Sequence, residues 1–132
     1  MAEERNPKAF PYAQDDLQTS ILELIRQTQR QKLVKRGANE VTKAVNRNKA
    51  AICVLAADAK PIEILMHLPL ICEDKNVPYV FLKSKSALGS ACNVSREVIA
   101  ATILKPDKRN SKFEKEIFNV QDEIERISAV SE

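Results

Sequence analysis

An unbroken apolar run at residues 50–57 constrains the fold of this chain more than any other segment. It reads AAICVLAA and contains no charged side chain. A strand with one solvated face alternates apolar and polar residues, whereas a continuous run of this length is typical of a strand buried on both faces. The sequence therefore predicts a central strand whose sheet carries helices on both sides.

The segments around this run alternate between helix and strand patterns. The other predicted elements are strands at residues 32–36, 77–82 and 98–104, helices at 15–31, 38–48, 61–72 and 84–92, and a last helix from residue 111. Pro69 is expected to kink or shorten the third helix, and Ser111 with Glu114 predicts a capping box for the last one. This order predicts a three-layer α/β/α sandwich with a central four-stranded mixed sheet. We expect residues 1–14 to form a flexible N-terminal arm and residues 15–130 a single domain.

Positive charge is concentrated in one window of the chain. The net charge is +3, but residues 26–49 alone carry +7, so the remainder is acidic. A basic segment in an otherwise acidic protein indicates a polyanion-binding face, although a solvated helical surface would give the same pattern. No apolar run reaches the roughly 18–20 residues that span a bilayer, so no membrane partner is predicted.

The sequence contains no motif typical of a catalytic or metal-binding site. The only two glycines, Gly37 and Gly89, exclude a GxGxxG motif and a P-loop, so a nucleotide-dependent enzyme has no support. The single histidine, His67, lies in an apolar helix and is expected to be structural. The three cysteines form no CxxC pair and are expected to be buried, reduced thiols. We therefore predict a protein without catalytic residues, metal or cofactor.

Residues 37–47 combine features that suit a helix start facing RNA. Gly37 permits a positive φ or the close approach of a ligand, and the free N–H groups after it favour phosphates. Asn39, Glu40 and Lys43 follow on neighbouring helical positions. A carboxylate near RNA phosphates is repelled unless it accepts hydrogen bonds from a base, so Glu40 indicates base reading. The alternative is that Glu40 pairs with a neighbouring basic residue on a solvated helix.

A second candidate patch follows a short helix. Val94-Ser95-Arg96 is predicted to form a loop at one end of the sheet, with Lys85 before it and Ile99 after it. An apolar side chain beside basic ones suits a base that is flipped out of its stack.

Together these segments resemble the kink-turn RNA-binding family over nearly the whole chain. The motifs are GANExTK from Gly37, AADAxPxEIL from Ala56, HLP from His67, CEDKNVPYVF from Cys72 and ALGxACxVSR from Ala87. Within the family, they resemble the branch shared by the U4 spliceosomal and box C/D nucleolar particles. The resemblance implies an α/β/α protein that recognises a sharply bent RNA with tandem sheared G·A pairs.

The resemblance also implies roles for individual positions. The residues expected to hold the G·A pairs and flanking phosphates are Gly37, Asn39, Glu40, Lys43 and Arg47. The residues expected at the flipped-out nucleotide are Lys60, Ile64, Lys85, Val94, Ser95, Arg96 and Ile99. Three positions depart from the family pattern: Lys60 stands where an acid is usual, Asn93 replaces a glycine and Glu97 replaces a proline. We expect Lys60 to exchange a base contact for a phosphate contact, and Glu97 to pair with Arg96 and weaken its RNA contact.

The partners implied by the resemblance are U4 snRNA, box C/D snoRNAs and later-binding assembly proteins that recognise the joint RNA–protein surface. The resemblance also implies a nuclear and nucleolar location, and we expect a monomer when the protein is free of RNA. Two other interpretations stay open. One is a ribosomal or box H/ACA relative, and the other is a protein-interaction adaptor that uses the apolar helix at residues 61–72.

Overall fold

The computed structural model describes residues 9–130, and its centre is a four-stranded mixed sheet. The strands are β1 (Val34–Arg36), β2 (Ala50–Ala56), β3 (Tyr79–Leu82) and β4 (Ala100–Leu104). Their order in the sheet is β1-β4-β2-β3. Strand β4 runs antiparallel to both β1 and β2, whereas β2 and β3 are parallel. The predicted mixed sheet is confirmed.

Helices cover both faces of this sheet. They are α1 (Asp15–Gln29), α2 (Ala38–Asn46), α3 (His67–Asp74), α4 (Lys85–Ala91) and α5 (Glu114–Val130). Helices α1, α4 and α5 pack on one face, and α2 and α3 pack on the other. Ile52 and Val54 point into the first layer, whereas Cys53 and Leu55 point into the second. All seven residues of β2 are buried, which confirms the predicted central strand.

The remaining side chains of the core follow the predicted pattern. The three cysteines are buried and free. On α5, the apolar side chains of Ile117, Val120 and Ile124 are buried and that of Ile127 is partly buried. Within residues 9–130, no helix combines the length and the apolar character that crossing a membrane requires.

The predicted third helix is divided into two pieces. Residues Ile62–Leu65 form a 3-10 turn, and α3 begins afterwards at His67. Pro69 lies in the first turn of α3, where a backbone N–H has no partner within the helix, so the missing N–H costs nothing. Pro69 was expected to kink or shorten the helix; α3 is shorter than predicted, but the break falls before Pro69, at Met66.

The start of the last helix also differs from the prediction. A 3-10 segment, Lys108–Phe113, precedes α5, and the Asp107 side chain accepts a hydrogen bond from the backbone N–H of Asn110 at 3.1 Å. Ser111 lies inside this segment. The predicted capping box is therefore wrong, because the chain becomes helical earlier and uses Asp107 as its cap.

The N-terminal segment is paired with the sheet at residues 11–13. The backbone N–H of Phe81 donates to the Pro11 carbonyl at 2.8 Å, and the N–H of Ala13 donates to the Phe81 carbonyl at 3.1 Å. Strand β3 is an edge strand, and its free backbone groups bind this segment. Residues 11–13 of the expected flexible arm are thus hydrogen-bonded to β3, and residues 1–8 of that arm lie outside the described residues.

Candidate nucleic-acid interface

Four chain segments meet at one end of the sheet, where the strands end or begin. This end is called the sheet edge below, as distinct from the edge strand β3. Strands β1, β2 and β3 end at this edge and β4 begins there, because β4 is antiparallel to β1 and β2 and β3 is parallel to β2. Backbone hydrogen bonds join the segments. The N–H of Gly37 donates to the Ala100 carbonyl at 2.8 Å, and the N–H of Ala56 donates to the Ile99 carbonyl at 2.9 Å. The two candidate patches predicted from distant parts of the sequence thus adjoin the same edge.

Gly37 begins the first patch in a conformation that requires glycine. Its φ is 94° and its ψ is 147°, and it is the residue directly before α2. A Cβ at this position would meet no atom within 4 Å, so the requirement comes from the backbone angles and not from a lack of space. Arg47 lies at the other end of α2, about 15 Å from Gly37 at the helical rise per residue. The structure therefore does not bring Arg47 to the sheet edge.

Helix α2 separates its side chains into a buried and an exposed face. Val41, Ala44 and Val45 are buried against the sheet. Asn39, Glu40 and Lys43 are exposed. The Glu40 carboxylate lies 3.6 Å from the Lys43 ammonium, with both side chains about half exposed. Such a pair contributes at most about 1 kcal/mol, so both groups can exchange this contact for a ligand at little cost.

A hydrogen bond ties α2 to α3. The Thr42 hydroxyl donates its one proton to the Ala38 carbonyl at 2.8 Å. Its oxygen lies 3.0 Å from Nε2 of His67 and therefore accepts from that nitrogen. His67 thus has a structural contact, as expected, and it braces the helix that carries the first patch.

This brace predicts a measurable contribution to stability. Thr42→Val keeps the side-chain shape but removes the hydroxyl, so the free energy of unfolding should fall by about 0.5–1.5 kcal/mol. Urea denaturation would measure the change. Thr19→Val is the matched control, because the Thr19 hydroxyl makes the same bond to a carbonyl four residues earlier, at 3.1 Å, on the exposed side of α1. Equal losses in the two variants would show that the contact with His67 contributes nothing.

The second patch is built on the start of α4. The Ser84 hydroxyl accepts from the backbone N–H of Ala87 at 3.1 Å, and the Asp58 carboxylate accepts from the backbone N–H of Lys85 at 2.9 Å. Asp58 comes from the segment after β2, so this bond connects two of the four segments. A cap that comes from another strand leaves no local signal in the sequence, so the role of Asp58 became visible only in the folded structure.

Glu97 forms its ion pair with Lys85 and not with Arg96. The Glu97 carboxylate lies 3.5 Å from the Lys85 ammonium, and the next N–H, that of Val98, donates to the Lys85 carbonyl at 3.2 Å. The expected pairing of Glu97 with Arg96 is therefore wrong, because the loop returns over the start of α4. The acid offsets the charge of Lys85, and Arg96 stays exposed.

Gly89 sets the position of this loop. A Cβ at Gly89 would overlap the backbone carbonyl of Arg96 and contact Glu97. The N–H of Val94 also donates to the Gly89 carbonyl at 3.1 Å. The loop therefore lies directly on α4 with no room for a side chain between them. An isolated glycine inside a predicted helix was the available signal for such a close approach.

The other predicted residues of the second patch differ in exposure. Ile64 is 47% exposed, which is high for a large apolar side chain. Ile99 and Val94 are half-buried against opposite layers of the core. Lys60 and Ser95 are exposed. The patch thus presents apolar side chains next to cations, a combination that suits an unstacked base.

Metal-binding groups do not cluster in the described part of the chain: no three His, Cys, Asp or Glu side chains come together as a candidate site.

The pKa of Cys92, at the end of α4, reflects both burial and a neighbouring positive charge. Burial raises the pKa of its thiol to about 11, and the positive charge of nearby Arg36 opposes that rise. Arg36 therefore lies close to the end of α4.

Comparisons with known proteins agree with this geometry. The model of the "Ribosomal protein L7Ae/L30e/S12e/Gadd45 family" matches residues 19–113. The chain is 52% identical over 127 residues to the "NHP2-like protein 1 homolog" of Drosophila melanogaster, covering 96% of this chain and 98% of that protein. It is 50% identical over 122 residues to the "Small nuclear ribonucleoprotein associated homolog 13" of Caenorhabditis elegans, covering 92% and 94%. A solved structure, "Giardia lamblia 15.5kD RNA binding protein", superposes with a TM-score of 0.88 at 46% identity, covering 92% of this chain and 98% of that one.

Proposed function

The chain belongs to the ribosomal protein L7Ae/L30e/S12e/Gadd45 family, and we propose that it is a non-enzymatic RNA-binding protein that recognises kink-turns. In such a bend, tandem sheared G·A pairs leave the Watson–Crick edge of a guanine exposed, and one nucleotide is flipped out. The protein selects the bent conformer, so its affinity for that conformer sets how far the RNA population shifts. The RNA-binding relative from Giardia supports this class of function.

The position of Glu40 is the observation that carries the proposal. An exposed acid in the first turn of α2 stands on a basic surface. Its carboxylate is suited to accept hydrogen bonds from the N1–H and N2–H groups of guanine. Lys85, Arg96 and Ile64 at the same sheet edge are the residues we assign to the flipped-out nucleotide. A surface that attracts RNA by charge alone would not need such a set of residues.

At a finer level we assign U4 snRNA and box C/D snoRNAs as the bound RNAs, in the nucleus and nucleolus. The protein then nucleates assembly of the U4/U6.U5 tri-snRNP and the box C/D snoRNP by presenting a joint surface to later proteins. The Val94-Ser95-Arg96 loop supports this assignment. The name of the Caenorhabditis relative, which refers to a small nuclear ribonucleoprotein, also supports it.

A second candidate is a role in the box H/ACA particle. The NHP2-like name of the Drosophila relative favours it. Sequencing of the RNAs that copurify with the tagged protein separates the two candidates. Enrichment of U4 and box C/D RNAs supports the first, whereas enrichment of box H/ACA RNAs alone would replace it with the second.

A gel shift with a kink-turn RNA tests the proposed function directly. The matched control is the same RNA with its sheared G·A pairs converted to Watson–Crick pairs, because this change keeps the charge and removes the exposed guanine edge. We expect binding to the kink-turn and much weaker binding to the control. Equal binding to both RNAs would contradict specific recognition.

Lys43 should contribute mainly through charge. Lys43→Ala should weaken binding of the kink-turn RNA and lower the slope of log Kd against log salt concentration by about one unit, as expected for the loss of one phosphate contact. Lys105→Ala is the matched control, because Lys105 is exposed and follows β4 at the opposite edge of the sheet. A slope unchanged by Lys43→Ala would exclude a direct phosphate contact.

A further inference from the structure

Two arginines of the basic window lie away from α2. Arg26 is in the last turn of α1, and Arg30 directly follows that helix. Four positions apart, they lie on the same side of the helix, and both are exposed. None of the RNA contacts proposed above uses them.

These arginines line a groove between α1 and the end of α4, here called the α1/α4 groove. It has a volume of about 350 Å³ and is lined by Arg26, Gln29, Arg30, Ser90, Ala91 and Asn93. Every lining side chain except Ala91 is a hydrogen-bond donor, and the lining contains no acid. Guanidinium groups bind phosphate oxygens in a bidentate manner, so this lining suits a phosphate backbone.

The charges of the α1/α4 groove are available to a ligand. The Arg26 guanidinium lies 3.4 Å from the Glu23 carboxylate, but both side chains are about half exposed, so the pair is weak. Among the described residues, Arg30 forms no ion pair, although Glu116 lines a neighbouring pocket together with it. The Arg26 guanidinium can exchange its contact with Glu23 for a ligand at little cost.

The α1/α4 groove adjoins the loop that carries the second patch. Asn93 lines the groove and directly precedes Val94. Arg36 lies near Cys92, at the same end of α4, and is followed in the chain by Gly37. The charge of Arg36 therefore acts on the end of α4 from the residue directly before Gly37.

We propose that the α1/α4 groove binds the sugar–phosphate backbone of the RNA arm that continues beyond the flipped-out nucleotide. This inference rests on the proposed kink-turn function and extends it to RNA outside the motif. Arg26 and Arg30, one helical turn apart, contact neighbouring phosphates. The groove therefore adds affinity without base specificity and favours RNAs whose arm is long enough to reach it.

The test compares two kink-turn RNAs, one with minimal arms and one with that arm extended by about one helical turn. At low salt, the unmodified protein should bind the extended RNA about 3- to 10-fold more tightly. The double variant Arg26→Gln with Arg30→Gln should lose this gain, with a salt slope lower by about 1–2 units. It should bind the minimal RNA like the unmodified protein, which also shows that it is folded.

Arg126→Gln is the matched control for each single variant, Arg26→Gln and Arg30→Gln, because each of the three removes one positive charge. Arg126 pairs with Asp122 on α5 at 2.8 Å, much as Arg26 pairs with Glu23 on α1. Helix α5 runs antiparallel to α1, with Phe113 beside Gln27–Gln31 and Glu123 beside Thr19–Glu23, so Arg126 lies far from the groove. The control should keep the gain from the extended arm.

Three results would overturn the inference. The groove does not bind that arm if the arm extension gives no gain in affinity, or if the double variant keeps the gain. In either case, binding of the minimal RNA would leave the kink-turn function intact. If Arg126→Gln reduces the gain as much as Arg26→Gln or Arg30→Gln alone, the effect comes from net charge and not from the groove. If the unmodified protein does not distinguish a kink-turn from its G·A-disrupted control, the proposed function and the inference fall together.

Discussion

Replacing Glu40 with alanine should weaken binding of a kink-turn RNA by about 1–3 kcal/mol, the range for a good base-reading contact. This corresponds to roughly a 5- to 150-fold increase in Kd. The direction of the effect is the informative part. If Glu40 only paired with Lys43 on a solvated helix, its removal would make the surface more positive and RNA binding tighter. A base acceptor and an ion-pair partner therefore predict opposite signs.

Isothermal titration or filter binding at fixed salt would measure the effect of Glu40→Ala. The protein should stay folded, because the Glu40–Lys43 pair is exposed and contributes at most about 1 kcal/mol to stability. Asp122→Ala is a suitable control, because it removes an acid from an exposed ion pair on α5. The RNA with disrupted G·A pairs should bind the Glu40 variant no more weakly than it binds the unmodified protein. Tighter binding of the kink-turn RNA by Glu40→Ala would exclude base reading.

Replacing Gly89 with alanine should lower the free energy of unfolding by about 1–3 kcal/mol, the usual cost of overpacking a close contact. Helix propensity alone predicts the reverse, because alanine is favoured over glycine inside a helix by about 1 kcal/mol. The structure decides the sign, since the new Cβ would overlap the carbonyl of Arg96. That atom belongs to the backbone, so the whole loop must move to accept the methyl group.

Urea denaturation of Gly89→Ala, with Ser90→Ala as the control, would test this. Ser90 is the next residue of α4 and is exposed, so its replacement should leave stability unchanged or slightly raised. Because the loop carries Val94 and Arg96, the Gly89 variant should also lose discrimination between a kink-turn RNA and the same RNA with an abasic flipped-out position. A gain in stability would contradict the described contact between the loop and α4.

The layered fold could be predicted from the sequence because burial leaves a local periodic signal. The unbroken run at residues 50–57 indicated a strand buried on both faces, and the spacing of Ile117, Val120 and Ile124 indicated one face of a helix. These patterns depend on neighbours two to four positions apart, which the sequence displays directly.

Predictions failed where the partner lies far away in the sequence or where local signals competed. Pro69 was expected to disturb a helix that in fact begins only two residues before it. Glu97 was expected to pair with the adjacent Arg96, but the return of the loop over α4 brings Lys85 to it. Residues 11–13 gave no strand pattern, yet the open edge of β3 binds them.

The sequence by itself determined the alternating helices and strands, the buried central strand, and the exposed acid at the start of a basic helix. Only the tertiary structure decided that the segments after β1, β2 and β3 and before β4 meet at one edge. That meeting depends on strand order and direction, which are set by packing between residues far apart in the chain and leave no periodic signal. The Asp58 cap on α4 and the loop contact at Gly89 have the same origin.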